Sequence, residues 1–146
     1  MKASQAAIDL IKRFESLRLE AYLCPAGVRT IGWGHTADVQ PGQKISPAKA
    51  EELLRQDIQQ VEDGLTRVLR VPVSQGEFDA LVSLCFNLRG GAQRLPRIAP
   101  QLMAKLEAGD RFGASIELLD INRANGKQLA GLTRRREAER ALFIAA

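Results

Sequence analysis

The stretch from Glu15 to His35 constrains this chain more than any other. It follows a run in which Ile8, Ile11 and Phe14 recur at helical spacing. Glu15 therefore falls at the end of a helix over residues 4–14, with Ser4 placed as its N-cap. Two short strand-forming runs then flank Pro25-Ala26-Gly27, which is turn chemistry, and together they predict a hairpin over residues 19–33. A helix ending against a hairpin brings three polar side chains towards one point: Glu15 at the helix end, Cys24 at the edge of the turn and Thr30 on the returning strand. Eight residues separate Glu15 from Cys24, and five separate Cys24 from Thr30.

Beyond this stretch, residues 35–46 read as loop, with Pro41-Gly42 as a turn and Gln43 to Ile45 as a third short strand. Ser46-Pro47 pairs a cap residue with a proline suited to the first helical position. It opens a long helix whose buried face is Leu54, Ile58, Val61 and Leu65, while Glu51, Arg55 and Glu62 fall on its solvent side. Ser74-Gln75-Gly76-Glu77 is a capping box. The helix after it is apolar nearly all round, from Phe78 to Leu88, the pattern of a helix at the centre of a core, and Gly90-Gly91 ends it. Pro100 to Ala108 forms another helix, stopped by Gly109. Asp110 caps the next, which carries Phe112, Ile116 and Leu119. Residues 122–131 are polar and read as loop, and Thr133 caps a last helix through Leu142. These elements predict an α+β fold in one domain, residues 1–146. A small N-terminal lobe with a short antiparallel sheet, roughly residues 1–60, joins a larger all-helical C-terminal lobe, roughly 61–146.

A chain of 146 residues can bury a real core. Its net charge of +4 biases encounters towards anionic partners without naming one. Cys24 and Cys85 are too few and too differently placed for a disulfide framework, and with one histidine they offer no zinc-ligand spacing, so no metal is expected. No apolar run approaches the ~20 residues of a membrane span. Asp9, Lys12 and Arg13 interrupt the first apolar residues at helical spacing, unlike a signal peptide. The expectation is a chain that folds in the cytoplasm without stable membrane insertion. Arg134-Arg135-Arg136 lacks interleaved aromatics and any DNA-binding motif, so no nucleic-acid partner is expected.

The spacing Glu15, eight residues, Cys24, five residues, Thr30, continued by Thr30-Ile31-Gly32-Trp33-Gly34-His35, resembles the phage-type lysozymes, the endolysins of glycoside hydrolase family 24. Their motif has Asp or Cys at the second position. Ser83-Leu84-Cys85-Phe86-Asn87 and the run from Gly131 to Arg140 are also similar to that family, so the resemblance covers nearly the whole chain. The chain departs from it at Cys24, where aspartate is commoner, and at Ile121, where many relatives carry tryptophan.

The resemblance implies a lysozyme-like fold, no cofactor, and a muramidase that hydrolyses the β-1,4 bond between N-acetylmuramic acid and N-acetylglucosamine, for host lysis by a phage or prophage. It implies Glu15 as general acid, with Cys24 and Thr30 holding or activating water on the opposite face. The position of Glu15 suits that task, because the negative end of a helix disfavours a carboxylate and favours the neutral acid. Cys24 would act as a thiolate or only as a hydrogen-bonding group. Asn87 and Arg134 are the candidate substrate-binding residues, Arg134 being the first choice among the three arginines to reach Glu15. His35 paired with Asp57 is read as structural. The partner is peptidoglycan, met as a monomer that waits in the host cytoplasm and depends on a separate holin for release. Two competing readings are a lytic transglycosylase using Glu15 alone and a non-catalytic protein that binds the wall or DNA.

Overall fold

The computed structural model describes residues 1–88, 90–124 and 126–145. Helix α1 (Gln5–Glu15) leads into an antiparallel hairpin of β1 (Arg18–Leu23) and β2 (Arg29–Gly32). Helix α2 (Pro47–Val68) follows, and at 1.5 Å per residue it is roughly 33 Å long. It carries the chain from the hairpin to the helices α3 (Gln75–Asn87), α4 (Leu95–Ile98), α5 (Pro100–Glu107), α6 (Arg111–Glu117) and α7 (Ala130–Ile144). No helix among the described residues is long and apolar enough to cross a membrane.

The local signals that start helices are the ones the structure keeps. Ser46 accepts a hydrogen bond from Lys49 N–H with Pro47 at the first helical position. Ser74 and Glu77 form both halves of the capping box. Asp110 accepts from Gly113 N–H at the start of α6. Helix α3 is the centre of the core, with Phe78, Leu81, Val82 and Leu84 at most 1% exposed. It packs against α7, α1 and α2. Ile11 of α1 and Leu54, Ile58, Val61 and Leu65 of α2 join the same cluster. Each such side chain, fully buried, contributes roughly 1.5–3 kcal/mol before its ordering entropy is counted.

Four local expectations give way to tertiary partners. Ser4 has the N-cap conformation but does not cap α1; its N–H and hydroxyl both donate to Asp79 of α3 instead. Glu62, expected in solvent, is buried at 6% exposure because it accepts the Ala3 N–H at 2.6 Å, with Lys2 nearby. The third strand at Gln43 to Ile45 is reduced to a single bridge between Glu20 and Lys44, held by Ala21 N–H to Gln43 O and Ile45 N–H to Leu19 O. Residues 122–131 are not all loop: β3 (Arg123–Ala124) pairs with β4 (Lys127–Gln128), and α7 begins at Ala130, so Thr133 lies inside its first turn and donates to Leu129 O.

Candidate active site

Glu15 is the last residue of α1, and the chain must enter β1 only three positions later. Ser16 makes that turn at φ 58° and ψ 151°, a region costly for any residue with a side chain. The Glu15 carboxylate then rests on the backbone of Gly34, where φ is 76°. A Cβ at Gly34 would stand 2.7 Å from Glu15 Oε1 and 3.2 Å from its Cδ, so glycine is what admits the acid there.

Glu15 Oε2 accepts from Arg135 Nη1 at 3.1 Å. The sequence reading preferred Arg134 for this contact; the structure assigns it to Arg135, and Arg134 is exposed and off the cleft lining. The reason is the rotation of α7. Its buried residues are Arg135, Arg136, Glu139 and Phe143, a stripe that turns Arg134 outward. Counting back by fours from Phe143 reaches Glu139 and Arg135, so the signal was present in the sequence. Arg135 is itself shared: its Nε lies 3.3 Å from Glu139 Oε2 and its Nη2 donates to Ser83 O at 3.0 Å. Arg135 thus bridges two carboxylates, Glu15 in the cleft and Glu139 behind it.

The facing wall comes from the hairpin. Thr30 stands opposite Tyr22 in the strand register. Cys24, two residues beyond Tyr22, continues on the same face, its N–H bonded to Val28 O and its carbonyl to Gly27 N–H. Tyr22, Cys24, Val28 and Thr30 line one cleft with Glu15 and Gly34. Thr30 Oγ1 donates to Val28 O at 2.9 Å, which commits its proton and leaves its lone pairs to accept. Cys24 is half-buried, whereas Cys85 is buried in α3 and neither forms a disulfide. Burial, and then the Glu139 carboxylate, push the Cys85 thiol far up, so it stays neutral.

The cleft has a volume of about 520 Å³ and is closed on the helical side by Phe86, Asn87, Leu88 and Gly90. It runs on into a second hollow of about 330 Å³ that shares Gly34, Thr36, Phe86, Leu88 and Gly90 with it. Asn87 Oδ1 accepts from Arg136 Nη2 at 2.8 Å. Three of the sequence candidates, Glu15, Cys24 and Thr30, and also Asn87, therefore meet in one cleft. Gly34 carries no assigned role in the sequence, and Arg135 and Arg136 stand there only as second choices to Arg134.

His35 stands behind this cleft. Its Nδ1 lies 2.8 Å from Asp57 Oδ2, and its Nε2 lies 3.0 Å from Ala37 O. A carbonyl only accepts, so Nε2 carries a proton, and a second proton must sit between Nδ1 and the carboxylate. Both ring nitrogens are occupied, which removes His35 as an acid or base in the cleft. Pairing with a cation would by itself hold the Asp57 carboxyl down. Burial instead pushes its carboxyl above the ordinary range, and His35 only partly offsets that through its hydrogen bond and charge. Among the described residues, no group of His, Cys, Asp and Glu could hold a metal ion.

A family model described as phage lysozyme matches residues 12–139. The endolysin of Acyrthosiphon pisum secondary endosymbiont phage 1 is 43% identical over the full length of both chains. The endolysin of Bacillus phage B103 is 46% identical over 99% of this chain, which spans only 54% of that relative's length. The muramidase domain of SpmX from Asticaccaulis excentricus superimposes with a TM-score of 0.88 at 33% identity, covering 99% of each chain, so the α+β fold is lysozyme-like.

Proposed function

Because the chain belongs to the phage lysozyme family, we propose that it is a peptidoglycan muramidase that hydrolyses the β-1,4 bond between N-acetylmuramic acid and N-acetylglucosamine. The observation that carries this reading is the placement of Glu15 on one wall of the cleft with Cys24 and Thr30 on another. Cleavage needs a proton delivered to the leaving oxygen and support for an oxocarbenium-like centre. Glu15 in its acid form donates that proton. Thr30, with its own hydroxyl proton committed to Val28 O, receives a hydrogen bond from the attacking water. Cys24 stands beside it as a second acceptor, in the position where a carboxylate is commoner in the family. Attack from the face opposite the leaving group inverts the anomeric centre, the proton that the water sheds passes to solvent, and solvent returns one to Glu15, so the net reaction is water added across the bond. Arg135 keeps the Glu15 side chain from swinging into solvent, and its own charge is balanced by Glu139.

The site of action is the cell wall of the host. The protein works as a monomer, with release from the cytoplasm supplied by a separate holin. The test is digestion of purified peptidoglycan followed by analysis of the new glycan ends. Reducing N-acetylmuramic acid ends are expected. Anhydro ends would mean a transglycosylase, and sedimentation with the wall without any cleavage would mean a binding protein.

A further inference from the structure

The buried face of α7 holds a charged cluster that the reaction as described uses only in part. Glu139 is 0% exposed, and Ser83 Oγ donates to its Oε2 at 2.5 Å. Its two oxygens anchor two neighbouring arginines, Arg135 through Nε at 3.3 Å and Arg136 through Nε at 2.8 Å. From this one carboxylate the cluster forks. Arg135 reaches Glu15, and Arg136, itself fully buried, reaches Asn87 in the cleft lining. Burial raises the Glu139 carboxyl and lowers the Arg136 guanidinium, against the attraction between them. A pair kept inside the protein at that cost and aimed at a half-exposed amide calls for a reason beyond packing.

The reason lies in what each group can do. A guanidinium only donates, so the Asn87 amide must offer it oxygen and cannot flip. Among the described residues, Arg136 is the one hydrogen-bond partner of the Asn87 side chain. The other end of the same amide, its NH2, is left for whatever occupies the cleft. We propose that Arg136, held by Glu139, is a positioning residue that fixes the Asn87 amide with its carbonyl bound and its NH2 free, so that the substrate group received there is a hydrogen-bond acceptor. This rests on the muramidase reading, which supplies the substrate. The acceptor is a carbonyl or hydroxyl oxygen of the glycan or of its attached peptide, and a group that only donates is refused.

The test compares the parent with Asn87→Asp on soluble peptidoglycan fragments. Aspartate has nearly the same size and keeps a charged bond to Arg136, but its NH2 is replaced by a negatively charged oxygen that can only accept. KM should rise about three- to tenfold, the worth of one hydrogen bond, with the loss falling on KM rather than kcat. A parent KM in Asn87→Asp would overturn the proposal, since a role confined to holding Arg136 is served as well by aspartate. Arg136→Gln combined with Glu139→Gln removes both charges together and frees the amide to flip. It should raise KM in the same way, and an unchanged KM in a folded double variant would also overturn the proposal. Peptide-free glycan strands separate the two sources: a defect that persists there places the acceptor on the sugar, and one that disappears places it on the peptide. A parent that cleaves no peptidoglycan would overturn the muramidase reading itself, an outcome distinct from cleavage with an unaltered Asn87→Asp KM.

Discussion

Ser16 offers a clean measurement of what it costs to aim Glu15. Its backbone sits at φ 58° and ψ 151°, where a Cβ is crowded. Such strain is worth roughly 1–3 kcal/mol. Replacing Ser16 by glycine releases it but adds freedom to the unfolded chain, which costs about 0.4–1 kcal/mol. The difference leaves a stabilisation of about 1 kcal/mol. For a chain near 150 residues, that corresponds to a melting rise of about 3 °C. Ser16 is exposed and its hydroxyl makes no hydrogen bond among the described residues, so the side chain itself contributes little. Ser16→Ala is therefore the control: it keeps the Cβ and the strain, and should stay within about 0.5 kcal/mol of the parent. Equilibrium urea unfolding reads the result, with the midpoint of Ser16→Gly moving up at constant slope. If glycine proves no more stable than alanine, the strain is not there and the argument from φ fails.

Other outcomes follow from the same site. Glu15→Gln keeps size and hydrogen bonding but has no acid proton, so a folded variant should lose at least ~10²-fold in peptidoglycan turnover. Gly34→Ala puts a Cβ at φ 76°, which costs about 1–2 kcal/mol of stability, and drives it into the Glu15 carboxylate; clearing assays should show a loss of activity larger than the fraction unfolded accounts for. Cys24→Ala should be strongly impaired and Cys24→Asp should keep substantial activity, and equal rates for Cys24→Ala and the parent would reduce Cys24 to a turn residue. Asp57 has a folded pKa raised by burial, so the native state holds its proton more tightly than the unfolded chain. Its contribution to stability is present below the ordinary aspartate range and is lost as pH rises through the raised value. Unfolding measured across that window should show the parent losing stability relative to Asp57→Asn, and a relative gain would mean that His35, not burial, dominates.

What the sequence revealed and what it hid divide along physical lines. Ser46, Ser74 and Asp110 cap helices through bonds to residues three positions on, so their roles are written locally. Leu54, Ile58, Val61 and Leu65 declare a buried stripe by spacing alone. The meeting of Glu15, Cys24 and Thr30 was legible for the same reason: helix, strand and turn lie within one short stretch. Ser4 and Glu62 were misread because their partners, Asp79 and Ala3, are 75 and 59 positions away. An arginine of the 134–136 run was expected at Glu15, and the contact falls to Arg135 rather than the preferred Arg134, because three adjacent arginines look alike until the helix is rotated against a core. Phe112, placed by pattern among the apolar positions of α6, is 67% exposed. The small residues Ala114 and Ser115 take the core side, and Arg140 stacks over its ring instead.

The two sides of the cleft are held in unequal ways. Cys24 follows β1, a mostly exposed strand paired to β2 with an irregular register. Glu15, Asn87 and the arginines behind them are tied into the helical core. Regions with few buried contacts open at a small fraction of the global unfolding free energy. The rim that bears Cys24 therefore has fewer buried contacts to resist opening than the wall that bears Glu15. A cell wall is a cross-linked mesh much larger than the enzyme, and its strands cannot thread end-on into a narrow groove. On the muramidase reading proposed above, a groove whose weaker rim opens first could receive a strand from the side in mid-mesh, where a cut slackens the net more than trimming at an end.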